Sequence, residues 1–80
     1  MKNIRIRYYA ILREQAGKSE EALSTVASTP AALFAELKGR YPFTLEMRQL
    51  KVAINTEFRE WETPLRDGDQ VVFIPPVAGG

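Results

Sequence analysis

Residues 3–9 read NIRIRYY, and in this stretch every second residue is apolar or aromatic. A period of two is typical of a strand with one buried face, so we expect a first strand over 3–9 with Ile4, Ile6 and Tyr8 in the core. The last apolar stretch, QVVFI at 70–74, predicts a final strand that Pro75 and Pro76 end, because proline cannot donate a ladder hydrogen bond. Both strands are apolar on one face, so placing them side by side at the centre of a sheet would bury both.

The segments between these strands predict two helices and three further strands. AILREQA at 10–16 contains good helix formers and is followed by Gly17, a favourable helix end. In STPAALFAELKGRYP at 28–42, Thr29 is the expected N-cap and Pro30 the first residue of the main helix, which should end near Arg40. One face of that helix carries Leu33, Phe34 and Leu37. Strands are expected over 20–26, 50–55 and 58–61, and RDGD at 66–69 predicts a tight turn.

This order of elements predicts an α+β domain. With the first and last strands paired at the centre, the layout is the ubiquitin-like β-grasp, with a mixed sheet of about five strands, one main helix and a short helix after the first strand. We expect the β-grasp domain to span residues 1–74 and residues 75–80 to form a flexible C-terminal tail.

The composition narrows the function classes. Eleven Lys and Arg residues against ten Asp and Glu leave a net charge of +1, so no strong field favours nucleic acid or an anionic membrane. The sequence contains no cysteine and no histidine, which weighs against an independent enzyme and against a metal site. The remaining carboxylates, such as Asp67 and Asp69 around Gly68, are interpreted as turn chemistry. No signal peptide or membrane-spanning segment is predicted, so we expect a soluble, cytoplasmic protein.

The sequence ends with FIPPVAGG at 73–80. Glycine has no Cβ, so Gly79 and Gly80 can pass through a narrow channel, and Ala78 adds little width. Pro75 and Pro76 restrict φ and favour an extended course. When extended, the four residues after Pro76 reach roughly 13 to 14 Å, enough to enter an active site buried in a partner.

Three segments together resemble the small subunits of molybdopterin synthase, a family of sulfur carriers: YYAILREQAG at 8–17, KVAINTEF at 51–58 and PLRDGDQVVFIPPVAGG at 64–80. The resemblance covers nearly the whole chain, and its most specific parts are LRDGD at 65–69 and the FIPPVAGG ending. Two positions depart from the family pattern: Ile74 stands where aromatic residues are frequent, and Ala78 where a small polar residue is common.

The resemblance implies a mechanism for the terminal carboxyl group. An activating enzyme would use ATP to adenylate Gly80, a sulfur donor would convert it to a thiocarboxylate, and the chain itself would bind no cofactor. Residues 75–79 would insert into the large synthase subunit, where the sulfur passes to cyclic pyranopterin monophosphate. The family analogy also implies a heterotetramer with two copies of each subunit. Those tail residues are Pro75, Pro76, Val77, Ala78 and Gly79.

A docking face is expected beside the tail. By strand alternation, Tyr9, Phe58 and Ile74 are apolar or aromatic residues on faces that otherwise carry polar side chains, and family resemblance places partner contacts near these positions. Arg13, in the short helix, is the candidate for an ionic contact to the partner.

Other functions fit parts of the same sequence. A thiamine-type sulfur carrier or a ubiquitin-like protein modifier would use the same kind of tail. A passive interaction domain, or an RNA-binding sheet that uses Arg5, Arg7, Tyr8 and Tyr9, is less compatible with the low net charge.

Overall fold

A computed structural model of the protein describes residues 1–76 of the 80-residue chain. Within that range, five strands and two α-helices follow one another in the predicted order, with a 3₁₀ helix between the second α-helix and the third strand. Their bounds are β1 Lys2–Tyr8, α1 Ala10–Ala16, β2 Glu20–Thr25, α2 Pro30–Lys38, the 3₁₀ helix Met47–Gln49, β3 Lys51–Ile54, β4 Glu57–Arg59 and β5 Gln70–Ile74.

The five strands form one mixed sheet in the order β2-β1-β5-β3-β4. The central pair, β1 and β5, is parallel and aligns Ile6 with Val71 and Tyr8 with Phe73. The other three pairings are antiparallel. The first and last strands therefore lie side by side at the centre, as the alternation predicted.

The core lies between α2 and one face of the sheet, called here the inner face. Ile4, Ile6 and Tyr8 are each 1% exposed, which confirms the predicted core face of β1. From α2, the ring of Phe34 lies 5.3 Å from that of Phe73 on β5. Burial of each such side chain contributes about 1.5–3 kcal/mol, so this layer is a major source of stability for the domain.

Local chemistry sets the ends of both helices. The Thr29 side chain accepts a hydrogen bond from the backbone N–H of Ala32 at 3.2 Å, as expected of an N-cap. Gly17 ends α1 in the left-handed conformation, with φ of 78°, and its N–H donates to the carbonyl of Arg13 at 2.9 Å. Helix α2 ends at Lys38, earlier than predicted, because Gly39 and Arg40 form short i→i−3 bonds that tighten its last turn.

The structure corrects the predicted bounds of four strands. Strand β2, Glu20–Thr25, stops one residue short of the predicted 20–26, and β3, Lys51–Ile54, is one residue shorter at each end than the predicted 50–55. The predicted strand at 58–61 is instead β4, Glu57–Arg59, because Trp61 leaves the sheet to pack on the core. Its ring stacks on Phe73 at 5.8 Å, and its carbonyl accepts a hydrogen bond from Ala31 in the first turn of α2. Strand β1 ends at Tyr8 because Tyr9 serves as the N-cap position of α1. The 3₁₀ helix Met47–Gln49 was not predicted.

The RDGD turn ties the start of β5 to the start of β1. The Asp67 carboxylate accepts a hydrogen bond from the Asn3 N–H at 2.6 Å, and the Asp69 carbonyl accepts one from Arg5 at 3.0 Å. Gly68 has φ of 89°, a conformation that favours glycine, and its N–H donates to the Asn3 carbonyl at 2.8 Å. Inside the turn, the Asp69 carboxylate also accepts a hydrogen bond from the Arg66 N–H at 2.8 Å. Both aspartate side chains therefore have the role in the turn that the sequence predicts.

Candidate functional site

The chain leaves the sheet at the end of its central strand. After Ile74, Pro75 is half-buried and Pro76 is exposed, and neither continues the ladder of β5. The predicted insertion residues Val77, Ala78 and Gly79, and the predicted reacting residue Gly80, lie outside the described residues. The structural part of the site is therefore the surface around Ile74 and Pro75.

The outer face of the sheet, opposite α2, carries an apolar strip across three strands. On β5, Val71 and Phe73 point into the core, so Val72 and Ile74 point outward. Pairing places Ala53 of β3 beside Val72 and Phe58 of β4 beside Ala53. Ala53 is only 7% exposed although it lies on this face.

Tyr9 completes the strip. Its backbone is extended, with φ of −126° and ψ of 153°, so its side chain continues the alternation of β1 and lies on the outer side. The β1–β5 ladder ends with Tyr8 paired with Phe73, so Tyr9 and Ile74, which follow these two residues, both lie at this end of the ladder. Tyr9 is 44% exposed and Phe58 is 68% exposed. We call this surface the outer apolar patch, formed by Tyr9, Ala53, Phe58, Val72 and Ile74.

The patch brings together three of the four residues predicted to contact a partner, namely Tyr9, Phe58 and Ile74. Phe58 is the most prominent of them, and Ile74 is half-buried. Their role as partner contacts stays a prediction. Single exposed apolar residues are ordinary, whereas several on one sheet face beside the exit of the chain are typical of an interaction surface.

Arg13, the fourth predicted contact, lies on exposed surface in α1, the helix that follows Tyr9. Within residues 1–76 its side chain forms no ion pair. Leu12 and Ala16 hold α1 against the core, and Ile11, which is 40% exposed, lies off that buried stripe. Leu12 and Ala16 are four residues apart and therefore lie on the same face of the helix, whereas Ile11 lies on a different face.

Sequence reasoning missed Val72 and Ala53 as parts of the patch. Val72 shares the alternation of Gln70 and Ile74, so the signal was present in the sequence. Ala53 carried no such signal, because its neighbours Val52 and Ile54 are also apolar and all three are buried. Only the pairing of β3 with β4 and β5 places Ala53 between Val72 and Phe58.

The surroundings of the patch are charged. Arg7, paired with Val72, forms an ion pair with Glu20 of β2 at 3.3 Å. Lys51 pairs with Ile74 across the β3–β5 ladder, and Glu60 follows β4. These exposed charges border the apolar strip on both sides.

The residues proposed for an RNA-binding platform do not form one surface. Tyr8 is buried on the inner face, opposite Arg5 and Arg7, and its hydroxyl donates to the Glu21 carboxylate at 2.5 Å. Burial, and then the hydrogen bond to Glu21, raise the pKa of Tyr8 well above its ordinary value of 10.0. Tyr9 is thus the one tyrosine of the pair whose ring could stack on a base.

Neither a metal-binding cluster nor a membrane-spanning helix is found within residues 1–76. Within residues 1–76, no group of three or more Asp or Glu side chains is arranged to hold a metal ion. The longest helix there, α2 with nine residues, is far too short to cross a membrane, and no other helix in that range is long and apolar enough.

Sequence comparisons with known proteins cover nearly the whole chain. At 34% identity over 80 residues, the chain is similar to the molybdopterin synthase sulfur carrier subunit of Escherichia coli (strain K12), and the match covers 96% of this chain and 99% of that protein. The ThiS family model matches residues 6–80.

Two solved structures have the same fold. The small archaeal modifier protein 1 (SAMP1) from Methanosarcina acetivorans is 25% identical, with a TM-score of 0.79 over 100% of this chain and 98% of that one. A protein–protein complex of subunits 1 and 2 of the molybdopterin-converting factor from Helicobacter pylori 26695 contains a matching chain at 23% identity, with a TM-score of 0.69 over 98% of this chain and 99% of that one. These likenesses confirm the predicted ubiquitin-like β-grasp. The chain therefore belongs to the ThiS family, and its similarity to a sulfur carrier subunit of molybdopterin synthase confirms the resemblance seen in the sequence.

Proposed function

We propose that this protein is the sulfur carrier of molybdopterin synthesis and that the carboxyl group of Gly80 carries the sulfur. The observation that carries the proposal is the position of β5, which lies at the centre of the sheet and leaves it beside the outer apolar patch. A rigid central strand fixes where the tail begins, and the patch beside it gives a partner a surface to hold. Family membership supports the same function.

The chemistry requires an activating enzyme. A carboxylate is a poor electrophile, and this sequence has no cysteine or histidine with which to activate its own terminus. On this proposal, a Gly80 carboxylate oxygen attacks the α-phosphorus of ATP and releases pyrophosphate. Sulfur supplied by a donor at the sulfide level then attacks the acyl carbon and displaces AMP, which leaves a thiocarboxylate with no change of oxidation state. ATP is used in the activating enzyme, and the carrier itself holds no cofactor.

The tail then delivers the sulfur. We propose that residues 75–79 enter the large subunit of molybdopterin synthase, where the thiocarboxylate passes its sulfur to cyclic pyranopterin monophosphate and water supplies the oxygen that restores the Gly80 carboxylate. Pro75 and Pro76 reduce the entropy lost on insertion, because their φ angles are already restricted. Gly79 and Gly80 suit a narrow channel, because neither has a side chain.

The outer apolar patch is the proposed docking surface for the large subunit. The Escherichia coli relative is named as a subunit of molybdopterin synthase. In the Helicobacter pylori complex, a chain with the same fold is bound to a second subunit. Exposed aromatic residues such as Phe58 and Tyr9 are the kind that contribute most at protein interfaces. The assembly that we propose is a heterotetramer with two copies of each subunit.

The test is intact-mass measurement after incubation with ATP, a cognate activating enzyme and a sulfur donor. The expected product is a chain in which one terminal oxygen is replaced by sulfur. Adding the large subunit and the pterin precursor should then yield molybdopterin and return the carrier to its original mass. A chain that acquires sulfur but yields no molybdopterin would contradict the pathway assigned here.

A second candidate is a ubiquitin-like protein modifier, favoured by the similarity to the small archaeal modifier. In that reaction a lysine amine, instead of sulfur, attacks the activated Gly80 carboxyl and forms an isopeptide bond with loss of AMP. Incubation with ATP and the activating enzyme, with acceptor proteins in place of the sulfur donor, would separate the two functions. Covalent conjugates joined through Gly80 would support the modifier.

A further inference from the structure

Lys51 lies within the outer face of the sheet, next to the outer apolar patch. It pairs with Ile74 across the β3–β5 ladder and is two residues from Ala53, so its side chain projects from the same face as both. A surface groove at the start of β3 and the end of β4 is lined by Lys51 together with Phe58, Glu60 and Trp61. The lysine therefore stands beside the most exposed aromatic residue of the patch.

Within residues 1–76, Lys51 is the one lysine whose ammonium group has no hydrogen-bond or ion-pair partner. Lys2 donates to the Ala27 carbonyl at 3.0 Å, Lys18 lies 3.7 Å from the Glu21 carboxylate, and Lys38 lies 2.8 Å from that of Glu46. Among the hydrogen bonds and ion pairs within residues 1–76, none involves the Lys51 ammonium group. Glu60 lines the same groove but forms no ion pair with it.

An unpaired ammonium group is acceptable only while water surrounds it. Lys51 is exposed in the free protein, so its charge is hydrated. A partner that covers Ile74 and Phe58 must remove much of that water, because Lys51 lies between these residues on the sheet. Burial of an unpaired charge costs several kcal/mol, whereas an opposite charge with good geometry offsets that cost.

We infer that the large subunit carries an Asp or Glu carboxylate, inside its apolar contact surface, that pairs with Lys51 on docking. The inference rests on the proposed function, because it takes the outer apolar patch as the docking surface of that subunit. Lys51 then determines specificity: an apolar surface without the carboxylate would be rejected, because the lysine would stay buried and unpaired.

The test compares affinities for the large subunit by titration calorimetry. Lys51→Met keeps an unbranched, flexible side chain that is one atom shorter and removes the ammonium group. If the inference is right, this variant leaves the partner's carboxylate buried and unpaired, and affinity falls by about 30-fold or more. Added NaCl should weaken the wild-type complex more than the variant complex, because the pair is electrostatic.

Two further variants test whether the effect is specific to Lys51 and whether the carboxylate that pairs with it lies in the large subunit. Lys38→Met removes an equal charge from α2, on the other side of the sheet, and should leave affinity within about twofold. Glu60→Gln should also leave it nearly unchanged. A loss with Lys38→Met as large as that with Lys51→Met would indicate a general charge effect, and an equal loss with Glu60→Gln would indicate a pair within this chain. Either result would overturn the inference.

The affinity of the Lys51→Met variant for the large subunit can contradict the inference by itself. If Lys51→Met binds as tightly as the wild type or more tightly, no carboxylate faces Lys51 and the inference is wrong. Lys51→Gln serves as a second uncharged variant if thermal denaturation shows that the methionine variant unfolds. A wild-type chain that accepts sulfur but does not bind the large subunit overturns the proposed docking as well, so the two failures are distinguishable.

Discussion

At the scale of single residues, Phe58 is the aromatic residue best placed to contact a partner. It lies on the short edge strand β4, all three residues of which are exposed, and Phe58 itself is 68% exposed. An aromatic side chain that contributes so little to the core is costly to leave in water and valuable to an interface. Ile74, on the same face, is half-buried. A substitution of Ile74 would therefore affect both the stability of the fold and binding to a partner.

Phe58→Glu should weaken binding to the large synthase subunit by about 30-fold or more, since it replaces an apolar contact with a charge. Its free energy of unfolding should change by no more than about 0.5 kcal/mol, as is usual for an exposed position. Affinity and urea denaturation are measured on the same preparations. Val26→Glu is the control, because Val26 is 75% exposed just after β2, at the other end of the sheet. Equal loss of binding in both variants would contradict the assignment of the patch.

At the scale of elements, a carboxylate joins two strands to the segment after α2. Glu21 of β2 accepts hydrogen bonds from the hydroxyl of Tyr8 on β1 at 2.5 Å and from that of Tyr41 at 2.8 Å. The Lys18 ammonium group lies 3.7 Å from the same carboxylate and 5.5 Å from the centre of the Tyr41 ring. This cluster fixes the segment that follows α2 against the edge of the sheet.

Stability should fall at alkaline pH because of Tyr8. Its pKa in the folded state is raised above the ordinary value of 10.0, so the native state keeps a proton that the unfolded chain releases. The stabilising contribution is complete below about pH 10 and is lost progressively as the pH rises further. Urea unfolding across this range should show the decline.

Tyr8→Phe should reduce the alkaline decline and should cost about 1–3 kcal/mol at neutral pH, where the hydrogen bond to a charged group is lost. Tyr9→Phe removes a phenol from the exposed outer side and serves as the control. An unchanged decline in the Tyr8 variant would show that another group is responsible.

The β3–β4 hairpin holds a residue in an unfavourable conformation. Both residues of its two-residue turn have positive φ, 52° at Asn55 and 72° at Thr56, and such turns favour Asn-Gly. Asn55 is suited to this geometry and also donates to the Asp69 carboxylate at 2.8 Å. Thr56 is β-branched and is strained there.

Thr56→Gly should therefore stabilise the protein by about 1 kcal/mol, because the relief of strain exceeds the added entropy of the unfolded chain. The measurement is the midpoint of urea unfolding. Ser19→Gly is the matched control, because Ser19 is exposed and is not among the residues with positive φ, so glycine there should be neutral or destabilising. A destabilised Thr56 variant would mean that the threonine side chain makes a contribution greater than its strain.

At the scale of the whole molecule, the fold and the proposed chemistry occupy different parts of the chain. The buried cluster of the described residues extends from Ile4 to Phe73, and the proposed reacting group is seven residues beyond it, at Gly80. We therefore expect stability and sulfur transfer to respond independently to changes at the C-terminus.

Deletion of Gly80, or addition of one residue after it, should abolish molybdopterin formation without changing the urea midpoint. An added residue converts the reacting carboxyl to an amide, and a deletion moves the terminus by about 3.5 Å, whereas displacements near 1 Å already cost about a hundredfold in rate. The reconstituted reaction measures the product, and Met1 deletion controls for a change at the other terminus. Near-normal product from either altered chain would contradict the proposed function.

The sequence by itself determined the features whose causes lie within a few residues. The alternation in residues 3–9 identified β1 and its buried face, and Thr29 and Gly17 marked a helix start and a helix end because capping is local chemistry. The sequence also showed that Tyr9 and Ile74 face away from the core, since a strand exposes alternate residues.

Only the tertiary structure decided which distant residues adjoin. Trp61 leaves the predicted strand because stacking on Phe73 outweighs one more ladder position, and no local pattern contains that contact. Ala53 belongs to the outer apolar patch because of its pairing with Val72 and Phe58. Strand register depends on long-range pairing, whereas alternation depends only on the geometry of one strand, so the sequence predicted the faces and the fold assembled the patch.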